Sequence, residues 1–484
     1  MFNRILLVVI FYFSIFLGMQ GQNAPMSVSY EESLRLLREN NKSIQIAKKE
    51  TDIAKAEHGR MNSFWYPTLT AAGSYMHMSN KIEVKEPLST VTNPAKDFVH
   101  ALLPDDQLIA AILDKIGSYS LTFPLMGQDL TTIDANIVWP VFTGGKRIFA
   151  NKIGKTLVNI AQTNEQQIDA FSQIALVDTY FALRLGKKIV EVRKETYDAL
   201  TMQYRDALRL EQNGMINRAE KLVVQVGMKE ALREYETADK TYAVAQQAFK
   251  SLIPLQTEQE IEPVTPLFIC DSLPSLLYFK SLIPVNNYQV NQMRLQERIA
   301  GYEEGMGKTG YAPNIALIGK QTLYAHGISK YLVPRSMIGV GFTWNIFDGL
   351  EREKKIKAAQ ITARALALGQ EKIIDDLLVN VEQAYTNMQV ALDNVSALTS
   401  TIELSKELLR MRRKEYAEGM ATSTQVVDAQ TMLSKVQIAY LLAYYQFDSA
   451  LINLLSLCGI PEDFIIYKNT GKTADFILNN VQIQ

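Results

Sequence analysis

Two long stretches carry apolar residues at three- and four-residue spacing. In the first, Ile168, Phe171, Ile174, Phe181, Leu185, Ile189 and Val192 fall on one helical stripe. In the second, Ile373, Leu377, Val381, Ala384, Met388, Val395 and Ile402 do the same, with charges and glutamines on the other faces. No proline lies between Pro140 and Pro254, or between Pro334 and Pro461. Proline costs about 3 kcal/mol in a helix interior, so these gaps permit unusually long helices. Each stretch has one natural break, at Asn213-Gly214-Met215 and at Glu418-Gly419-Met420. Glycine there supplies the positive φ that ends a helix. Two helical hairpins follow. Their descending arms span 148–212 and 353–417, each on the order of 100 Å long at 1.5 Å per residue. Their returning arms span 216–252 and 421–457. Shorter helices at 29–63 and 286–308 are expected to flank the rest of the descending arms. Irregular segments at 253–285 and 458–484 would wrap the midpoint.

Alternating runs at 66–80, 130–143, 312–326 and 336–348 predict strands. Ile137, Trp139 and Val141 share one strand face, and Phe342, Trp344 and Ile346 another. Trp65, Tyr66, Trp139, Tyr311 and Trp344 stand near strand ends, as a membrane-interface girdle would place them. An ordinary soluble sheet fits the alternation alone. Four strands cannot close around an open lumen. Three copies would supply twelve, related by closed rotational symmetry, and would give the long apolar stripes partners.

The chain is a tandem duplication. Ile133, Trp139, Phe142, Gly144 and Arg147 fall on Ile338, Trp344, Phe347, Gly349 and Arg352 at an offset of 205. The register then holds through Tyr180 on Tyr385, Gly214-Met215 on Gly419-Met420, Gln225 on Gln430 and Ser251-Leu252 on Ser456-Leu457. Upstream, Asn40-Asn41 falls on Asn286-Asn287 and Pro67 on Pro313, an offset of 246. The first copy therefore holds 41 extra residues between 80 and 130. With Pro87, Pro94, Pro104 and Pro124 this stretch reads as a long loop, with one short helix around Asp106–Ile116. The first repeat is 22–285, the second 286–457, and 458–484 closes the chain.

Met1–Arg4 carries one positive charge, and a fifteen-residue run from Ile5 to Met19 is apolar apart from Ser14. Gly21 and Gln22 follow. This pattern predicts a secretory leader over 1–21, since the run is shorter than the roughly 20 residues of a spanning helix. Entry into a membrane would then be as a β-barrel. The net charge of −1 argues against nucleic acid as a partner. Cys270 and Cys458 are too few for a disulfide framework, and a single bridge between them stays open. His58, His77, His100 and His326 lack metal-ligand spacing. Gly154-Lys155-Thr156 and Gly307-Lys308-Thr309 lack the upstream glycine of a phosphate loop, having Phe149 and Tyr302 instead. No cofactor, no metal and no catalytic constellation is expected. A coiled-coil scaffold or adaptor without a pore shares the long helices, but does not predict strand pairs leading directly into them.

Three motifs stand in order. They are Tyr66-Pro67, the run Trp139-Pro140-Val141-Phe142-Thr143-Gly144-Gly145-Lys146-Arg147 with its echo Phe347-Asp348-Gly349, and the tip run Tyr416 to Gln430. In order, spacing and duplication the chain resembles the TolC-like outer-membrane efflux proteins over nearly all of its length beyond the leader. The resemblance implies a mainly α fold: a trimeric α-barrel of coiled-coil helices in the periplasm, below a twelve-stranded outer-membrane β-barrel. It implies an exit duct for small molecules or secreted proteins, set in outer-membrane lipid. The duct would work with a periplasmic adaptor and an inner-membrane pump of the RND or ABC type. It implies adaptor contacts at Gly214, Met215, Gly419 and Met420. It also implies a gate in which a tyrosine-to-carboxylate link falls on Tyr416 and Glu220. A family arginine falls on Ala421, with Arg218 as one substitute. Of two aspartate rings, one is kept as Asp428 and the other falls on Gln425. Asp428 corresponds to Val223 in the first copy. Three carboxylates gathered at one level would attract cations; a solvated helix-face aspartate is the plainer reading.

Overall fold

The computed structural model describes residues 25–474 apart from 81, 103–106, 127, 255–258, 327–329 and 331–333. The leader expected at 1–21 lies outside the described residues. The first copy contains β1 (Met26–Val28), α1 (Tyr30–Asn40), α2 (Lys42–Asn62), β2 (Thr68–His77), β3 (Ile82–Pro87), α3 (Ser89–Leu102), α4 (Gln107–Gly117), β4 (Ser120–Met126), β5 (Asp129–Thr143), α5 (Lys146–Gln212) and α6 (Arg218–Leu252). After β6 (Ile261–Pro263) and β7 (Phe268–Ile269) come α7 (Leu276–Asn286), α8 (Tyr288–Lys308), β8 (Asn314–His326), β9 (Ser336–Thr343), α9 (Glu351–Ala417) and α10 (Ser423–Leu457). The described residues end in α11 (Phe464–Thr470) and β10 (Lys472–Thr473).

The duplication is written in helix lengths. Helices α1 and α7 each have 11 residues, α2 and α8 have 21, α5 and α9 have 67, and α6 and α10 have 35. The counterpart of α1 therefore starts at Leu276, inside the stretch read from sequence as equatorial. Pro284 hides it, because a proline so near the C-terminal end of a short helix looks like a breaker.

The described residues divide into two compact units. One comprises residues up to 55, 156–298 and from 362 onward; the other comprises 56–155 and 299–361. In the first unit, β1 pairs in parallel with β6, and β7 pairs antiparallel with β10, beside the helical hairpins. Tyr30, Tyr180, Phe181, Phe268 and Phe464 interlock at its centre, with ring centroids 5.3–6.1 Å apart. The buried Tyr180 hydroxyl donates to the Val28 carbonyl at 2.8 Å and accepts from the Thr265 N–H at 2.9 Å. An aromatic core can carry this hydroxyl because both of its hydrogen-bonding roles are filled.

One asparagine in each copy splices three helix ends. The Asn41 amide donates to the carbonyl of Leu252, the last residue of α6, at 3.1 Å. Its oxygen accepts from the Ser43 and Ile44 N–H groups that open α2. Asn287 repeats this, donating to the Leu457 carbonyl at 2.8 Å and accepting from Gln289 and Val290. A helix C-terminus and a helix N-terminus are thus satisfied by one buried side chain. Cys270 and Cys458 are both buried free thiols, so the bridge left open by sequence is not formed. Burial pushes the Cys458 thiol up to about 12.

Asp448 of α10 is wholly buried, and among the described residues neither carboxylate oxygen has a partner within hydrogen-bond geometry. Burial raises its pKa well above the ordinary value, with only the Phe268 backbone acting the other way.

In the second unit, β2, β5, β8 and β9 form one antiparallel sheet in that order. Leu69, Ile133, Ile137, Trp139, Leu317, Ile338, Val340 and Phe342 share one face by register, and all are exposed; Ile338 is 92% and Phe342 77% accessible. The opposite face carries Thr70, Ser74, Thr132, Asp134, Asn136, Lys320 and Thr322. There Lys320 pairs with Asp134 at 2.8 Å and Thr322 donates to it at 2.7 Å. Strand β9 stops at Thr343, which pairs with Asn314, the first residue of β8. Trp344 and Ile346 consequently lie beyond the strand that the sequence assigned them to, because Pro313 ends the available ladder. The 80–130 stretch is also not a loop: β3 and β4 pair antiparallel and carry the two helices α3 and α4 between them.

The side-chain roles make two predictions. Asn287→Ala should leave the Leu457 carbonyl and the opening turn of α8 unsatisfied, costing about 1–3 kcal/mol in thermal or denaturant unfolding. Asp448 has a raised folded-state pKa, so it carries no penalty below its unfolded value, and a growing one as pH rises toward its folded value. Wild-type stability should therefore fall over that range by at most about 1.4 kcal/mol per pH unit relative to Asp448→Asn, read as paired melting curves across pH.

Candidate gate at the hairpin tips

Both helical hairpins turn through the same local chemistry. Gly214 has φ 71° and Gly419 φ 75°, and nothing lies within 4 Å of either Cβ position. Conformation rather than space requires glycine there. The Met215 N–H reaches back to the Leu210 carbonyl at 2.9 Å, and the Met420 N–H to the Glu415 carbonyl at 2.8 Å. These are the bonds of a glycine-ended helix. The next helix is then capped, by Asn217 accepting from the Glu220 N–H and by Thr422 accepting from the Gln425 N–H. Met215 and Met420 are 71% and 70% exposed.

Glu220 and Gln425 occupy the same position in the two copies, and here the copies part. Gln425 folds back on its own helix, accepting from the Thr422 N–H at 2.9 Å and completing a capping box. Glu220 instead crosses to the other hairpin and accepts from the Ser423 N–H at 2.8 Å. A carboxylate at a helix N-terminus meets both a free N–H and the positive end of the helix dipole. The Ser423 hydroxyl is directed at the Tyr416 hydroxyl, 3.2 Å away. Tyr416 and Glu220 therefore converge on one buried residue from two hairpins, and among the described residues they are joined through Ser423 rather than by a hydrogen bond from the Tyr416 hydroxyl to the Glu220 carboxylate. Ser423 was not singled out by sequence. Its polarity at the first turn of α10 looks like ordinary capping chemistry, and its role depends on a carboxylate 203 residues away.

Behind Ser423, the side chains of Leu409, Val426, Ala429 and Leu433 form a small core, with Tyr416 packed on it. Arg413 donates to Gln430 at 2.7 Å, and burial lowers the Arg413 pKa. Helices α6 and α10 approach closely at Gly227, where a Cβ would stand 2.8 Å from Val427 Cγ1. Gln425 and Asp428 both lie on the exposed side of α10, continued by Met432 and Lys435, away from the Val426–Ala429–Leu433 face. Val223 is exposed, and Ala421 carries no charge where the resemblance expects an arginine. Arg218 opens α6 and is exposed.

The aromatic residues assigned to a membrane girdle stand at one end of the sheet, in a duplicated latch. Trp139 Nε1 donates to the Trp65 carbonyl and Trp344 Nε1 to the Tyr311 carbonyl, both at 3.1 Å. Arg147 lies over the Trp65 ring at 4.5 Å and donates to the Phe64 and Val141 carbonyls. Arg352 lies over the Tyr311 ring at 4.7 Å and donates to Gly310 and Ile346. Tyr66, Trp65, Trp139, Tyr311 and Trp344 all remain substantially exposed. Among the described residues no group of His, Cys, Asp and Glu could hold a metal ion, and no helix is long and apolar enough to cross a membrane.

Residues 281–460 match the family described as outer membrane efflux protein. Protein CyaE of Bordetella pertussis is 22% identical over 169 residues, which cover 34% of this chain and 35% of that protein. The match thus spans about a third of that relative's length. The chain shares its fold with the Campylobacter jejuni CmeC outer membrane channel at 14% identity and a TM-score of 0.67, covering 94% of this chain and 88% of that one. It shares it also with the outer membrane protein VceC of Vibrio cholerae at 13% identity and a TM-score of 0.67, covering 89% and 96%.

The bond across the two hairpins is directly testable. Glu220→Ala should speed hydrogen exchange of the Ser423 amide by about tenfold or more, while amides in the middle of α10 keep their protection.

Proposed function

We propose that this chain, a member of the TolC-like outer-membrane efflux family, is the outer-membrane exit duct of a multicomponent export system. The observation that carries the reading is the two-faced sheet. One face is apolar and exposed from Leu69 to Phe342, and the other is polar and internally paired through Asp134, Lys320 and Thr322. A soluble protein buries such an apolar face, whereas a barrel turns it to lipid and keeps the polar face for an aqueous lumen. Strands β2 and β9 each have one edge without a partner among the described residues. Three copies would close those edges into twelve strands.

The long helices ask for the same neighbours. Leu368, Val379, Val390, Leu404 and Met411 of α9 are exposed at spacings of 11, 11, 14 and 7 residues. Those spacings keep one helical face, so the stripe is suited to a coiled-coil seam with another copy. The exposed tips at Met215 and Met420 suit a periplasmic adaptor. An inner-membrane pump, of the RND or ABC type, would select small molecules or proteins as cargo. Asp428 and Gln425 would line the constriction near those tips, with Tyr416, Ser423 and Glu220 holding it closed. Catalysis has no part in this reading.

The pore reading is checked in planar bilayers. Asp428→Ala should abolish or strongly weaken block by divalent cations and change single-channel conductance. If the purified protein forms no channels and washes from membranes in carbonate, it is a periplasmic scaffold and the reading is wrong.

A further inference from the structure

The 41-residue insertion is the largest departure between the copies, and it folds as a helical hairpin with apolar side chains left exposed. The less exposed positions include Thr92, Lys96 and Val99 on α3 and Ile109, Leu113 and Gly117 on α4. Lys96 Nζ donates to both carboxylate oxygens of Asp114 at 2.7 Å. A Cβ on Gly117 would stand 2.6 Å from the Thr92 hydroxyl. A second set of apolar side chains turns outward. Val91, Phe98 and Leu102 of α3, Ile112 and Ile116 of α4, and Tyr119 just beyond are 43–70% exposed. Their spacings of 7, 11 and 4 residues put each helix's set on one stripe. A patch of this kind rarely faces water uncovered.

We infer that the patch is covered by the same insert of neighbouring copies, so that three inserts form a lid over the outer mouth of the channel. The inference rests on the trimeric duct proposed above. Hydrocarbon is a poor occupant. Before β2 gives way to the insert, its lipid-facing register ends in a polar collar, where Tyr75 donates to Asp129 and His77 Nδ1 bonds the same oxygen, both at 2.8 Å. The insert lies past that collar. A strongly charged partner is also poorly matched, because Lys96 and Asp114 neutralise each other and the exposed Asp97 and Lys115 are of opposite sign. A second copy is matched by continuity. The strand that leads into the insert is β2, an edge strand, so the insert springs from the seam at which neighbouring copies would pair. Rotational symmetry then brings identical apolar stripes together at one level.

The test uses the full chain in outer membranes. The double variant Phe98→Cys, Ile112→Cys is treated with a short bis-maleimide, and the buried Cys270 and Cys458 of the parent chain give the background. Covalently linked subunits are expected, with the introduced thiols protected from a membrane-impermeant maleimide in intact cells. Replacing residues 83–125 by a short Gly-Ser turn should raise single-channel conductance at least about twofold and admit bulky antibiotics. An SDS-resistant trimer whose introduced thiols label fully and never cross-link, with unchanged conductance after the deletion, overturns the lid alone. A parent chain that forms no trimer overturns the duct reading and the lid with it.

Discussion

Strands β2 and β9 each leave a row of backbone N–H and C=O groups without a partner among the described residues, on a sheet whose one face is apolar and exposed. In hydrocarbon such groups cost several kcal/mol each when unpaired, and only closure removes an edge. The rest of the molecule is consistent with that single demand. In the proposed duct the sheet can be small because other copies would complete it. The strands feed straight into helices, through latches built from Arg147 over Trp65 and Arg352 over Tyr311. The helices carry exposed apolar stripes that are otherwise a liability in water.

Duplication supplies most of the architecture, and its departures supply the particular chemistry. Equal helix lengths in the two copies and the paired splices at Asn41 and Asn287 build the same joints twice. At the tips the equivalence breaks at one position. Gln425 closes its own capping box, whereas Glu220 uses its carboxylate to hold the neighbouring hairpin at Ser423. At the other end of the strands, the first copy alone carries the folded insert.

Much of this was legible in the sequence. A hundred residues without proline, glycines at the two breaks and a register that holds through both helical hairpins are signals with direct physical meaning, and they point to a mainly α fold class. Helix α7 was hidden because Pro284 reads as a stop while its other residues still helix. The insert was read as a loop because four prolines mask two short helices. The role of Asn41 and Asn287 was visible only as a repeated dipeptide, since a side chain that caps two helix ends at once needs the third dimension to be recognised. Ser423 was invisible for the same reason. The aromatic residues gave an expected girdle in sequence, and the structure adds hydrogen bonds and stacked arginines that make them part of a joint.

The account stands most directly on the number of chains in the assembly. Native mass spectrometry of the protein extracted from outer membranes in mild detergent measures it. A single species of three chains, lost together with channel activity when the edge strand β9 is broken by proline at Val340, is the predicted result. A stable monomer or dimer with its apolar sheet face still exposed would contradict it.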